Sequence, residues 1–149
     1  MRSRHNLLIT GPCGVGKSWL SCALGHKACR ETSPSPITEC RVSLQPWRCH
    51  VATGGYTKML SAIARLDLLI LDDWRLEPLD AEQRRSLLEI AEDRYEARSI
   101  IVASQLPVDR WYELIGNPTI ADAILDRLVH NAYRIDFKAE GAGWLTERP

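Results

Sequence analysis

Eight residues near the start of the chain, Gly11-Pro12-Cys13-Gly14-Val15-Gly16-Lys17-Ser18, satisfy the pattern GxxxxGK[ST] without a mismatch. The pattern constrains the fold because it works only between a strand and a helix, and both are readable here. Asn6-Leu7-Leu8-Ile9-Thr10 is a short apolar run that predicts a buried strand. Trp19 to Arg30 predicts the following helix. Glycines let such a loop curl so that backbone N–H groups point inward, and the helix N-terminus adds partial positive charge. In this arrangement Lys17 reaches the β- and γ-phosphates of a nucleotide, and the Ser18 hydroxyl ligates Mg²⁺. The residues expected to cradle the nucleotide are Gly11, Pro12, Cys13, Gly14, Val15, Gly16, Lys17, Ser18 and Trp19.

A second apolar run, Leu66-Asp67-Leu68-Leu69-Ile70-Leu71-Asp72-Asp73, ends in two carboxylates. Near-continuous apolarity predicts a central parallel strand buried on both faces. Its C-terminal end is where ligands bind in open α/β sheets. Alone, a strand ending in Asp-Asp also fits a solvated turn; downstream of an intact P-loop it reads as Walker B. Asp72 then holds the Mg²⁺ shell, and Asp73 orients or activates the attacking water.

The rest continues the α/β alternation. Asp80 and Gln83 form a reciprocal cap for a helix with Leu87, Leu88, Ala91 and Tyr95 on its apolar face. Ser99 to Ala103 predicts a buried strand ending at Ser104-Gln105, on the same sheet edge as Asp72. Asp109 is expected to cap a short helix through Leu114, and Asn117-Pro118 to open a helix from Thr119 to His130. Tyr133 to Phe137 predicts a last strand, and 140–149 a loose tail.

Composition adds bounds. One domain is expected from 149 residues, and a formal net charge of zero gives no overall basic balance for nucleic acid, leaving room for a local patch. No apolar stretch approaches the ~20 residues of a membrane span, and no signal sequence precedes the P-loop, so a cytoplasmic location is expected. The five cysteines form no CxxC pair. A zinc site using Cys22 and His26, or Cys49 and His50, is less expected than unconnected thiols.

The segments NLLITGPCGVGKSWLSCALGHKACR, YTKMLSAIARLDLLILDDW, SQLPVDRWYELIGNPTIADA and ILDRLVHNAYRI together resemble the ATPase domain of IstB-like proteins, helper ATPases of insertion sequences within the AAA+ group that includes the DnaC helicase loaders. The resemblance runs from about Asn6 to Phe137 and is carried by DDW, SQLP and ILDRL more than by the P-loop. It implies an α/β P-loop NTPase, a three-layer sandwich with a mostly parallel central sheet. It also implies ATP and Mg²⁺, assembly of copies on duplex DNA, and a transposase partner. Residue by residue, it implies Walker A at Gly11, Gly14, Gly16, Lys17 and Ser18, Walker B at Asp72 and Asp73, and a γ-phosphate sensor at Ser104 or Gln105. It further implies that Arg127 is an arginine finger for a neighbouring subunit's nucleotide. The catalytic set is then Lys17, Asp73, Gln105 and Arg127, with Ser18 and Asp72 on the metal. The competing reading of Arg127 is a salt bridge to Asp122 or Asp126 on its own helix.

Three departures from the family pattern stand out. The P-loop strand begins after only five residues, where the family usually has a helical region, so an N-terminally truncated form is expected. Arg75 follows the Trp where the family prefers Gly. Residues 31–53 hold Pro34, Pro36, Pro46 and little periodicity, which suggests an out-of-frame stretch; Thr38, Cys40, Val42 and Leu44 alternate enough for a substitute edge strand. The domain expectation is therefore an ATPase domain over 1–138 with an atypical segment at 31–53, then a tail over 139–149. The alternatives are a DnaC-like helicase loader, separable by gene neighbourhood, and a nucleotide-binding module without turnover. A small-molecule phosphotransferase has no evident acceptor site or arginine-rich lid here.

Overall fold

The computed structural model describes residues 5–31, 39–43, 56–74, 78–138 and 144–147. The order of elements is β1 (Asn6–Thr10), α1 (Lys17–Glu31), β2 (Glu39–Ser43), α2 (Tyr56–Ala64), β3 (Leu68–Trp74), α3 (Ala81–Arg94) and β4 (Ser99–Ser104). A 3₁₀ turn (Val108–Arg110), α4 (Trp111–Ile115), α5 (Pro118–Val129), β5 (Ala132–Phe137) and β6 (Trp144–Glu147) follow. The strands form a single six-stranded sheet in the order β2-β3-β4-β1-β5-β6. The first five are parallel, and β6 runs antiparallel to β5.

Strand alternation sorts the core into two layers. Leu7, Ile9, Leu68, Ile70 and Ile101 pack with Leu20, Leu24 and Ala28 of α1. Leu8, Leu69, Leu71, Ile100 and Val102 belong to the opposite layer, with residues of α2 to α5. Helices on both faces explain why β1, β3 and β4 are almost wholly apolar. The expected three-layer α/β sandwich is the observed fold.

Local signals act where expected. Gln83 N donates to Asp80 Oδ1 at 2.8 Å, and Asp80 N donates to Gln83 Oε1 at 3.0 Å, a complete capping box for α3. Ile120 N donates to Asn117 Oδ1 at 3.1 Å, with Pro118 at the first position of α5. Within the atypical 31–53 segment, 32–38 and 44–53 lie outside the described residues, and 39–43 forms an edge strand beside β3.

Two expectations are corrected. Asp109 makes no capping hydrogen bond; it lies inside the 3₁₀ turn, whose N-cap is Pro107, two residues earlier. The tail is not wholly loose: Trp144–Glu147 pairs with Arg134–Phe137. Trp, Leu and Thr suit a strand, and β5 offers an open edge to pair with.

Buried polar side chains tie the elements at the N-terminal edge of the sheet. Asn6 Nδ2 donates to the carbonyls of Arg127 and Leu128, both at 3.1 Å, and its Oδ1 accepts from Ile100 N at 3.0 Å. Arg94 is 1% exposed and donates to the carbonyls of Ile63 (3.1 Å), Leu66 (2.8 Å) and Ser99 (3.0 Å). It thereby caps the end of α2 and joins it to β4. Burial, and then the neighbouring Arg98, push the Arg94 guanidinium down to about 10, while Asp67 pulls the other way, so it is charged at neutral pH.

Candidate nucleotide-binding site

The P-loop sits between the C-terminal end of β1 and the first turn of α1, as the strand–loop–helix pattern requires. Gly11, Gly14 and Gly16 adopt φ of 143°, 82° and 88°, a region that L side chains rarely enter. At Gly11 there is a second reason for glycine: an added Cβ would lie 2.6 Å from Phe137 Cβ and 2.7 Å from the Phe137 carbonyl oxygen. The end of β5 therefore presses on the start of the loop. Thr10 Oγ1 also donates to Asp136 Oδ1, reinforcing that contact. At Gly14 and Gly16 nothing lies within 4 Å of where a Cβ would be, so the loop's outer side is open.

Lys17 is buried, and its ammonium donates to the carbonyls of Gly11 at 2.7 Å and Pro12 at 2.5 Å. Its Nζ thus arches over the loop. Ser21 Oγ donates to Lys17 O at 2.9 Å and braces the first turn of α1. Ser18 Oγ donates to Asp72 Oδ1 at 2.8 Å, and Asp72 is 4% exposed. The two motifs, far apart in sequence, meet at one point on the sheet edge.

The β3–β4 pairing shifts register between Leu71 and Trp74, opposite Val102 and Ser104. Three steps on β3 match two on β4, so the irregularity falls on Asp72 and Asp73. Such a bulge bends a strand and re-aims its residues, and it recurs beside active sites. Sequence reasoning missed it, because it depends on the pairing with β4. Asp73 is the next residue of β3 after Asp72.

Beyond the bulge, Trp74 stacks on Trp111 with ring centroids 4.8 Å apart and planes 13° apart, both rings fully buried. Trp111 Nε1 donates to Leu106 O at 3.0 Å. Ser104 Oγ donates to Trp74 O at 3.2 Å and accepts from Leu106 N at 3.1 Å. Of the two candidates for the sensor position, Ser104 is thus engaged with backbone, while Gln105 is half-buried just past the strand end.

Arg127 lies elsewhere. Its carbonyl meets Asn6 at the start of β1, so it sits at the edge of the sheet opposite the P-loop. Its guanidinium donates to Ala123 O at 2.7 Å and pairs with Glu92 of α3 at 3.2 Å. The ion pair is to α3, not to Asp122 or Asp126. Among the described residues no cluster of His, Cys, Asp or Glu has metal-binding geometry, so the Cys22–His26 idea finds no support there. No described helix is long and apolar enough to cross a membrane.

A parallel sheet with a glycine loop after β1 and a carboxylate at the end of β3 defines an α/β P-loop domain. Solved structures agree on the fold. DnaI superposes with a TM-score of 0.75 at 19% identity, covering 91% of this chain and 74% of that one. The DnaC helicase loader gives 0.68 at 20% identity, covering 90% and 78%. Within that class, residues 1–144 match the IstB-like ATP binding protein model, and the chain belongs to that family. The insertion sequence ATP-binding protein y4pL of Sinorhizobium fredii strain NGR234 is 55% identical over 138 residues, 93% of this chain and 56% of the relative. The protein named for insertion sequence IS21 of Pseudomonas aeruginosa is 32% identical over 143 residues, 91% of this chain and 51% of the relative. The chain spans about half the length of the curated relatives it matches.

Proposed function

We propose that this chain binds ATP·Mg²⁺ in the P-loop, hydrolyses it, and serves a transposase during movement of an insertion sequence on duplex DNA. The observation that carries the nucleotide reading is the Ser18–Asp72 hydrogen bond under a loop whose glycines leave open space. The names of the relatives, all insertion-sequence ATP-binding proteins, support the biological setting. The domain doing this is read as 1–138, with an atypical segment at 31–53.

The residues fit Mg²⁺. The Ser18 hydroxyl and Asp72 carboxylate converge, and Mg²⁺ favours one or two such oxygens together with substrate phosphates and water. When bound, the ion neutralises charge on the β- and γ-phosphate oxygens. The chain's own groups do the rest. Backbone amides from Gly11 to Trp19 cradle the phosphates. Lys17 exchanges its two carbonyl partners for phosphate oxygens. Asp73 accepts a proton from, or orients, the attacking water. Gln105 holds the γ-phosphate end of the site. Arg127, across the sheet from its own loop, acts on the nucleotide of a neighbouring copy.

ATP hydrolysis measured with and without duplex DNA, over a range of protein concentrations, tests this. Turnover per subunit is expected to rise with concentration and with DNA. ATP binding without any turnover under all conditions would leave a nucleotide-binding module; no ATP binding would end the nucleotide reading.

A further inference from the structure

We propose that Trp19 is the platform on which the base of the bound nucleotide stacks, which makes this site selective for nucleoside phosphates over inorganic polyphosphate. The inference rests on the P-loop reading above.

Trp19 is 75% exposed, the most exposed of the large hydrophobic residues described. It stands directly after Ser18, in the first turn of α1. The inward face of α1 is already filled by Leu20, Leu24 and Ala28, so Trp19 contributes nothing to that core. Side chains on a helix lean toward its N-terminus and cover the turn before their own Cα. For Trp19 that direction is the P-loop. The loop beside it is open: Pro12, Cys13, Gly14 and Gly16 are exposed, and no atom crowds Gly14 or Gly16.

The direction of the ligand follows from its other end. Lys17 and the Ser18–Asp72 pair mark the terminal phosphate on the β3 side. A triphosphate held there runs along the loop and carries its nucleoside away from Asp72, out over the exposed first turn of α1. An indole presents a large flat apolar face, and every base has a face to stack on it. The platform therefore favours nucleotides in general and does not choose adenine over guanine.

Calorimetric titration of the full chain with Mg·ATP, Mg·GTP and Mg·tripolyphosphate tests the idea, using wild type, Trp19→Ala and Trp19→Phe. Base–aromatic stacking lost on truncation to Ala corresponds to roughly 5- to 150-fold in affinity. Wild type should bind ATP and GTP about tenfold or more tighter than tripolyphosphate. Trp19→Ala should lose that advantage for both nucleotides and keep its tripolyphosphate affinity, and Trp19→Phe should retain most of it. Trp19→Ala that binds ATP as wild type does overturns the proposal while the P-loop reading stands. Equal weakening toward all three ligands also overturns it, in favour of a structural role in the loop. Tripolyphosphate and nucleotides that all fail to bind folded wild type overturn both.

Discussion

The Ser18 hydroxyl donates to the Asp72 carboxylate at 2.8 Å across 54 residues of sequence. A single hydrogen bond joins the first helical turn after the glycine loop to the bulged end of β3. It holds the two oxygens together. Ser18→Ala is expected to leave the fold intact and to weaken Mg·ATP much more than ATP in EDTA, read by titration with a fluorescent ATP analogue. Lys17→Ala should weaken both strongly. Asp73→Asn should bind normally and hydrolyse poorly. Equal affinity of wild type and Lys17→Ala would sink the assignment of the loop.

Gly11 makes a different demand from Gly14. At Gly11 a methyl group collides with Phe137 Cβ and carbonyl, and the φ of 143° is hostile to L residues. Gly11→Ala should cost on the order of 3 kcal/mol in urea unfolding. Phe137→Ala should not rescue it, because the colliding atoms remain. Gly14→Ala meets only backbone strain, about 1 kcal/mol, and should lose nucleotide binding while staying folded.

Arg94 is a buried cation bonded to three carbonyls. Replacing it by Met removes the cost of burying charge, about 3 kcal/mol from a shift to about 10, but takes away three hydrogen bonds from a charged donor, at about 1.5–3 kcal/mol each. The second effect wins, so Arg94→Met should lose about 2 kcal/mol. Arg94→Lys should do no better, since it keeps the charge and reaches fewer carbonyls. The folded pKa, about 10, lies below the ordinary guanidinium value of the unfolded chain, so the unfolded chain holds its proton longer and burial penalises folding at every pH below about 10. That penalty fades as pH rises above about 10 toward the ordinary guanidinium value. The stability gap between wild type and Arg94→Met should therefore be flat through neutral pH and widen above about 10. A gap that narrows there would show that charge burial is not the opposing effect.

Much of the fold was legible because its signals are local. The apolar runs of β1 and β3, the P-loop between β1 and α1, and the Asp80 and Asn117 caps each depend on a few neighbouring residues. The groups that complete the architecture are not local. Asn6 serves two carbonyls of α5 and an amide of β4, and Arg94 binds backbone 28 and 31 residues away. No periodicity marks either one. The bulge at Asp72–Asp73 exists only relative to β4, and β6 only relative to β5. Arg127 shows the same limit: helix spacing points to Asp122 or Asp126, while packing supplies Glu92.

The Arg127 backbone adjoins Asn6 at the start of β1, and Lys17 lies beyond the other end. Five residues of strand at about 3.3 Å each separate them by at least about 13 Å, with the sheet between. Arg127 therefore has no route to its own P-loop, and any action on nucleotide is on a neighbour's. Arginines acting in this way contribute roughly 10³–10⁵ in turnover in other NTPases. Arg127→Ala should keep ATP affinity and lose DNA-dependent turnover, as should Asp73→Asn. Mixed in equal amounts under conditions where copies co-assemble on DNA, the two variants should recover part of the activity, because some interfaces then combine an intact Asp73 with an intact Arg127. No recovery in mixtures shown to co-assemble would leave Arg127 as a structural partner of Glu92, and Arg127→Ala would then lower stability in urea to the same degree as Glu92→Ala.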